Sequence, residues 1–346
     1  MNLKESSNRF ILNAISSTFL CTVLLGIVPS TALASLLQSY QYTGYGNWSL
    51  DAVGARAYSS ILNAQVPAGS TIEKAYLYAA STGFTGHIIP DGGVSLEGTP
   101  LTWDTSAFNN ISSYNQRTDV TDIVSNKVGS NGGTFDFAVT EQFESRIDGV
   151  ALAVVYSNTN EAYRSIGFFD GVQSTVGDTL NILPAVPLDL TLPGFEFLLS
   201  VGITYSAQGR SQYSRIDVDG RRLTTSAGGE DDGVASNGAL ITLGGIGDST
   251  DNPADPNAFP NGERSDDELY NLATGNRISS LPYVDQGDDE INIFILNEAR
   301  DDNIFFAGYN YVSVKAEPIP EPATLALISL GLAGLVHRRR KQVKAA

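Results

Sequence analysis

Acidic residues cluster in the second half of the chain and are the side chains with the clearest capacity for chemistry. Their carboxylates are hard oxygen ligands, which Ca²⁺ prefers, and many lie in segments rich in Gly, Asn and Pro. The sequence contains no EF-hand or nonapeptide calcium spacing. Two interpretations stay open, one bound Ca²⁺ or merely solvated acids, and the candidate ligands are Asp248, Asp251, Asp255, Asp266 and Asp267.

Calcium binding at these acids predicts a chelator effect on stability. A cation that binds the folded state and not the unfolded chain raises the thermal midpoint by mass action. EDTA should therefore lower the unfolding midpoint of residues 35–317 in differential scanning fluorimetry, and excess Ca²⁺ should restore it. Equal midpoints with and without the chelator would rule calcium out.

Aromatic residues near the start of the mature chain and after the first hairpin offer a second kind of site. Flat rings can stack on the apolar faces of sugars, but aromatic residues also fill strands and cores. A carbohydrate platform and a core role both remain open for five residues: Tyr40, Tyr42, Tyr45, Trp48 and Trp103.

Signals for catalysis are weak. The only histidine between the two ends of the chain is His87, in a Gly-rich segment. Gly247-Asp248-Ser249 lacks the G-x-S-x-G pattern of a nucleophile elbow. Paired carboxylates for glycoside hydrolysis stay possible, because the sequence does not reveal their separation. We therefore expect a protein that is not an enzyme.

The N-terminal 34 residues have the pattern of a secretory signal peptide. Lys4 and Arg9 precede an apolar stretch that is densest over residues 19–28, and small residues at Ala32 and Ala34 fit cleavage before Ser35. The alternative, an uncleaved anchor, would need about 20 apolar residues. The single cysteine of the chain, Cys21, leaves with this segment, so the mature protein forms no disulfide.

The C-terminal end combines three features in order. Pro320-Glu321-Pro322 is followed by an uncharged stretch over residues 323–336 and by the cluster Arg338-Arg339-Arg340. A helix over residues 323–336 would be about 21 Å long, marginal for a bilayer core of roughly 30 Å. Arginines mark the cytoplasmic side, so the chain before the motif is expected outside the cell.

This tail resembles the PEP-CTERM sorting signal, which has the same Pro-Glu-Pro motif, short apolar helix and terminal Arg cluster. The resemblance covers residues 318–346. It implies a signal peptidase and an exosortase-like membrane protease as processing partners, and a bacterial host that makes extracellular polysaccharide. An ordinary tail anchor is the alternative.

The charge of the mature body excludes one class of partner. Without residues 1–34 and 318–346, the chain loses seven basic and two acidic residues and keeps 14 basic against 36 acidic ones, a net charge of −22. Such a surface repels nucleic acid and anionic membranes. Nucleic-acid binding is therefore not expected.

Short apolar runs separated by turn residues predict an all-β fold. The runs at 149–156, 195–205, 291–296 and 303–314 are typical of strands, the first of them buried on both faces. We predict two tandem antiparallel β-sandwich or jelly-roll domains, because about 283 residues exceed the usual single domain. Their predicted bounds are 35–186 and 187–317, with an acidic loop at 244–262.

A faint internal repeat supports this duplication. Residues 94–102 and 216–224 both have the pattern of a hairpin that turns at a glycine, and each is followed by a candidate helical turn. The first turn spans 119–124 with Asp119 as N-cap. The second spans 265–272, with Ser265 and Glu268 as a capping box.

Taken together, the sequence predicts a noncatalytic cell-surface or extracellular-matrix protein, associated with exopolysaccharide or biofilm and held transiently in the inner membrane by its tail. A carbohydrate-binding surface module is the alternative, and a polysaccharide-acting enzyme is a weaker one. The expected partners are the processing enzymes, extracellular polysaccharide or other surface components, and the membrane through the C-terminal helix.

Overall fold

The computed structural model describes residues 35–54, 58–109, 111–142, 146–206, 213–227, 240–258, 268–300 and 302–315. All three hydrophobic cores lie between Leu36 and Val312. Residues 35–317 therefore contain the whole folded body described below, and they are the part of the chain used in the experiments.

Eighteen strands and one short helix make up the described part of the chain, so the all-β prediction is confirmed. The elements are β1 (Leu36–Val53), β2 (Ser59–Val66), β3 (Thr71–Ser81), β4 (Val94–Leu96), β5 (Thr99–Pro100), β6 (Thr105–Phe108), β7 (Tyr114–Asp119), α1 (Thr121–Val128), β8 (Gly133–Glu141), β9 (Ile147–Ser157), β10 (Tyr163–Gly171), β11 (Asp178–Ile182), β12 (Phe197–Ser206), β13 (Ser214–Val218), β14 (Arg221–Thr224), β15 (Leu240–Leu243), β16 (Leu269–Asn271), β17 (Ile291–Asn297) and β18 (Asn303–Val312).

The strands form one long sheet and two small ones. The long sheet has ten strands in the order β15-β12-β18-β10-β1-β9-β3-β7-β6, with β16 paired to β12. The small sheets have the orders β2-β8-β4-β5 and β11-β17-β13-β14. The strand pairs within each sheet are antiparallel.

Alternating side chains show that the long sheet is folded onto itself. On β3, Leu77 belongs to a core shared with the sheet of β2 and β8, whereas Tyr78 belongs to a core shared with β10, β15 and β18. On β18, Phe306 faces that middle core and Tyr309 faces the sheet of β13 and β17. Because neighbouring residues of a strand point to opposite faces, the body has four sheet layers around three cores.

This burial on both faces explains the most hydrophobic runs. Residues 147–156 of β9 and all ten residues of β18 are buried. The predicted strand at 149–156 is confirmed, as are those within 195–205, 291–296 and 303–314. Both predicted hairpins are present as well, β4–β5 and β13–β14.

Two local predictions were wrong. The helix α1 exists, but its N-cap is Val120 rather than Asp119, which accepts a hydrogen bond from the Thr121 amide at 2.9 Å from just outside the helix. Of the second predicted turn, residues 268–272 are described, and they contain the strand β16 in place of a helix. Pairing of its backbone with β12 replaces the intrahelical bonds that the capping-box pattern implied; Ser265 lies outside the described residues.

Hydrogen bonding crosses the predicted boundary at residues 186 and 187. The strand β10, before the boundary, pairs along its length with β18, after it, and Phe168 lies opposite Gly308. The same β10 pairs on its other side with β1. The division into two domains therefore remains a prediction, and its boundary falls between strands of one continuous sheet.

A polar cluster joins the two layers around the middle core. Asp170 on β10 accepts hydrogen bonds from Arg117 at 2.6 Å, from the Tyr78 hydroxyl at 2.9 Å and from the Ser39 hydroxyl at 2.5 Å. The Arg117 guanidinium also lies 4.6 Å from the centre of the Tyr76 ring. Charge-assisted bonds of this kind are shorter and stronger than neutral ones, so the cluster fixes how the long sheet folds over itself.

Candidate functional site

Most of the aromatic residues predicted as sugar ligands are packed inside the body. Tyr40, Tyr42 and Trp48 pack against the middle core, and Trp103 packs against the core under β2 and β8. Tyr45 is 49 % exposed, with its ring edge-on to Tyr163 at 5.2 Å. The structure therefore places four of the five in packing positions.

The acidic residues predicted as calcium ligands make local turn contacts where they are described. Asp248 accepts a hydrogen bond from the Gly245 amide at 2.7 Å, and Asp255 accepts one from the Asn257 amide at 3.0 Å. Asp251 donates its own amide to the Ser249 hydroxyl. No group of three or more His, Cys, Asp or Glu able to hold a metal occurs among the described residues. Asp266 and Asp267 lie outside them.

Ser35, the first residue after the predicted signal cleavage site, is hydrogen-bonded to the folded body. The Ser35 hydroxyl donates to Asp178 at 3.1 Å, and the Leu36 amide donates to the same carboxylate at 3.2 Å. The predicted cleavage residues Ala32 and Ala34 lie outside the described part, as do Pro320, Glu321, Pro322 and the arginines 338–340. In the described ranges, no helix is long and apolar enough to cross a membrane; the predicted helix 323–336 is not among them.

Two loops that sequence reasoning missed are joined into one surface. The Phe84 amide donates to the Ile111 carbonyl at 2.5 Å, and the Gly86 amide donates to the Ser112 carbonyl at 2.7 Å. These bonds tie the loop after β3 to the loop between β6 and β7. Phe108, at the end of β6, is 51 % exposed and lies against Tyr114 with ring centres 4.8 Å apart.

Phe84 and Tyr205 form an aromatic pair at this surface on strained backbone. Phe84 is 61 % exposed with φ of 63°, and Tyr205 has φ of 61°. Their rings meet edge to face at 5.4 Å. The left-handed region is unfavourable for bulky residues, and such strain concentrates where side chains must be presented in one orientation. Gly83 makes room, because a Cβ there would lie 2.9 Å from the Tyr205 ring.

A pair of buried carboxyl groups lies beneath this surface. Asp148 is fully buried and accepts a hydrogen bond from the Tyr205 amide at 2.6 Å. Glu141, at the end of β8, is 2 % exposed, and its Oε2 is buried with no hydrogen-bond partner among the residues that the structure describes. Burial, with the Asp148 charge as a second cause, raises the pKa of Glu141 to about 8. Glu141 is therefore largely protonated at neutral pH.

The single histidine of the body lies in the same loop. Burial, together with the Arg146 charge, lowers the pKa of His87 below its usual value. The surface loops are therefore uncharged at neutral pH, whereas the buried carboxyl groups are closed off from solvent.

The sequence contains only a nonspecific signal for this surface, a lack of charged residues that segment 35–50 shares. Residues 82–90 and 105–116 contain no Asp, Glu, Lys or Arg, in a body with 36 acidic residues. By contrast, four of the aromatic residues chosen from the sequence lie on β1, and three of these, Tyr40, Tyr42 and Trp48, are partly buried against the middle core.

Family comparisons match two parts of the chain. Residues 30–181 match a family described as "Protein of unknown function (DUF3344)". The matched segment contains the strands from β1 to nearly the end of β11. Residues 318–341 match the PEP-CTERM protein-sorting motif. No curated protein matches the chain. The resemblance seen in the tail is therefore confirmed.

Proposed function

We propose that this PEP-CTERM protein, exported and sorted at its C-terminus, is a noncatalytic component of the cell surface or of the extracellular polysaccharide matrix. The observation that carries the proposal is the sorting motif at residues 318–341, which follows the four-layer β body in the sequence. The motif implies processing by an exosortase, and the polypeptide before it then functions outside the inner membrane.

The body supports a structural or adhesive role. Its three cores bury side chains from 15 of the 18 strands, and residues 35–317 contain no cysteine that could form a disulfide. One recess, lined by Val186, Pro187, Leu192 and Tyr311, has a volume of about 10 Å³, roughly the room that one water molecule needs. Ligand pockets usually hold roughly 300–1,000 Å³, so this recess is small for a substrate site. Its lining also includes a single acid, Asp189, whose carboxylate is bonded to Thr191 at 2.6 Å.

Processing of the tail is tested by the intact mass of the protein from its native host. We expect an extracellular species that starts at Ser35 and ends near Pro320. Glu321→Ala should leave a full-length C-terminus in the membrane fraction, because it removes the charged residue of the motif. Glu317→Ala, three residues before the motif, is the matched control and should be processed normally. A full-length wild-type protein confined to the membrane would contradict the proposal.

The noncatalytic part of the proposal has a separate test. Purified residues 35–317 should release no sugar from the polysaccharide of the host over prolonged incubation. Turnover that disappears on replacing one carboxylate would show an enzyme instead.

A further inference from the structure

We propose that the surface formed by Phe84, Tyr205, Phe108 and Tyr114, here called the aromatic surface, binds a neutral polysaccharide. The inference deepens the proposed function and rests on its extracellular location. It assigns a ligand class to residues that were not among the sugar candidates of the sequence.

Each of the two aromatic pairs exposes one ring to solvent. Phe84 is 61 % exposed and Phe108 is 51 % exposed, whereas the other ring of each pair, Tyr205 or Tyr114, is half-buried. Each pair thus has one ring that supports and one that projects. An exposed ring offers an apolar face matching the C–H face of a pyranose, and a phenol adds a hydroxyl partner.

The backbone of Phe84 and Tyr205 is strained. A glycine at position 84 would adopt φ of 63° without cost, yet the chain has phenylalanine there. Tyr205 has the same left-handed backbone and is held by the bond from its amide to Asp148. Two strained aromatic residues in ring contact are not explained by packing, because the Phe84 side chain is mostly in solvent. Presentation of the Phe84 ring to a ligand would explain why the strained backbone is tolerated there.

The charge around the aromatic surface favours a neutral ligand. The loops at 82–90 and 105–116 contain no charged side chain, a feature they share with residues 35–50 of a strongly acidic body. An anionic polymer would be repelled by the surrounding carboxylates, and a cationic one would find better partners elsewhere on the surface. A neutral polymer of sugars loses nothing at an uncharged patch, and it has the hydroxyl groups that the Thr85 and Ser112 side chains of these loops can meet.

Affinity electrophoresis of residues 35–317 tests the inference. The gels would contain dextran, galactomannan, the anionic polymer alginate, or the polysaccharide of the host. We expect retardation by at least one neutral polymer and none by alginate. Phe84→Gly and Phe108→Ala should each weaken the affinity roughly tenfold or more, the scale of losing one stacked ring.

The variants separate binding from folding. Phe84→Gly relieves the strained φ, so its thermal midpoint should equal or exceed that of the wild type while binding falls. Phe108→Ala lies on ordinary strand backbone and is a second, independent variant. Ile278→Ala, at a 69 % exposed residue between β16 and β17, is the matched control and should bind normally.

Several outcomes would overturn the inference. These are retardation by alginate alone, no retardation by any neutral polymer, and retardation unchanged in both variants. Self-association in analytical ultracentrifugation that is lost in Phe84→Gly, without polysaccharide binding, would show that the aromatic surface joins two copies of the chain. None of these results bears on tail processing, so failure here is distinguishable from failure of the proposed function.

Discussion

Gly46→Ala is expected to destabilise the body more than any other conservative substitution in β1. The strand β1 pairs with β10 up to Tyr45 and with β9 from Gly46 onward, so Gly46 is where the chain passes from one layer to the next. A Cβ at this position would lie 2.1 Å from the Tyr156 carbonyl oxygen. That oxygen belongs to the backbone of β9 and cannot rotate away.

The cost should be about 3 kcal/mol or more, at the upper end of overpacking effects, because two paired strands must separate. Gly44→Ala is the matched control in the same strand. Its Cβ would meet the Tyr42 hydroxyl at 2.5 Å, and this side chain can swing outward with the loss of one exposed hydrogen bond to Tyr45. The control should cost about 1 kcal/mol or less.

Urea unfolding of residues 35–317, followed by tryptophan fluorescence, measures both variants. Trp48 lies two residues from Gly46 and contacts the Phe168 ring at 6.3 Å, so it reports on the layer crossing. Equal unfolding midpoints for Gly46→Ala and Gly44→Ala would show that the crossing tolerates a side chain, and the role given to Gly46 would be wrong.

The strands were predictable because burial on both faces leaves a direct trace. A run such as 149–156 is apolar at every position, and β9 is indeed covered by a core on each side. What the run cannot reveal is the identity of the two covering layers. The pairing of β10 with β18 joins residues 136 to 148 positions apart, and no local pattern encodes a contact of that separation.

The site residues were harder for a related reason. Trp48 and the tyrosines of β1 were candidate sugar ligands because they are aromatic and close together. In the folded long sheet, Tyr40, Tyr42 and Trp48 are partly buried against the middle core, whereas Tyr45 stays exposed. Phe84 is separated from Tyr205 by more than a hundred residues, and the two meet only when the layers pack. The capping-box pattern at Ser265 and Glu268 failed because the edge of β12 offered Leu269–Asn271 a strand partner.

Glu141→Gln is expected to change the pH dependence of stability. Burial, and then the Asp148 charge, raises the pKa of Glu141 from 4.5 to about 8 in the folded state. Because this pKa is higher in the folded state than in the unfolded state, the protonated Glu141 makes its full contribution to the free energy of unfolding below about pH 4.5. It is lost as the pH rises towards 8, where the folded protein must also give up the proton.

The size of the effect follows from the shift. Each pKa unit corresponds to about 1.4 kcal/mol, so ionisation of Glu141 costs several kcal/mol between pH 4.5 and 8. Glutamine keeps the shape and stays neutral. The variant should therefore gain stability relative to the wild type as the pH rises, whatever its constant offset from the new amide. Burial likewise raises the pKa of Asp51 to about 6, but that effect is common to both proteins and cancels in the difference.

The measurement is the free energy of unfolding of both proteins by urea at several values between pH 4.5 and 8.5. Glu73→Gln is the matched control, because Glu73 is an exposed carboxylate on β3; its difference from the wild type should stay nearly constant over this range. Parallel curves for Glu141→Gln and the wild type would mean that Glu141 ionises freely in the folded protein. In that case, the buried carboxyl pair would have to be stabilised in its charged form, by a bound cation or by a donor that reaches Glu141. A divergence of several kcal/mol would instead establish that the layer beneath the aromatic surface contains a neutral acid, and that this acid contributes more stability in mildly acidic surroundings than in alkaline ones.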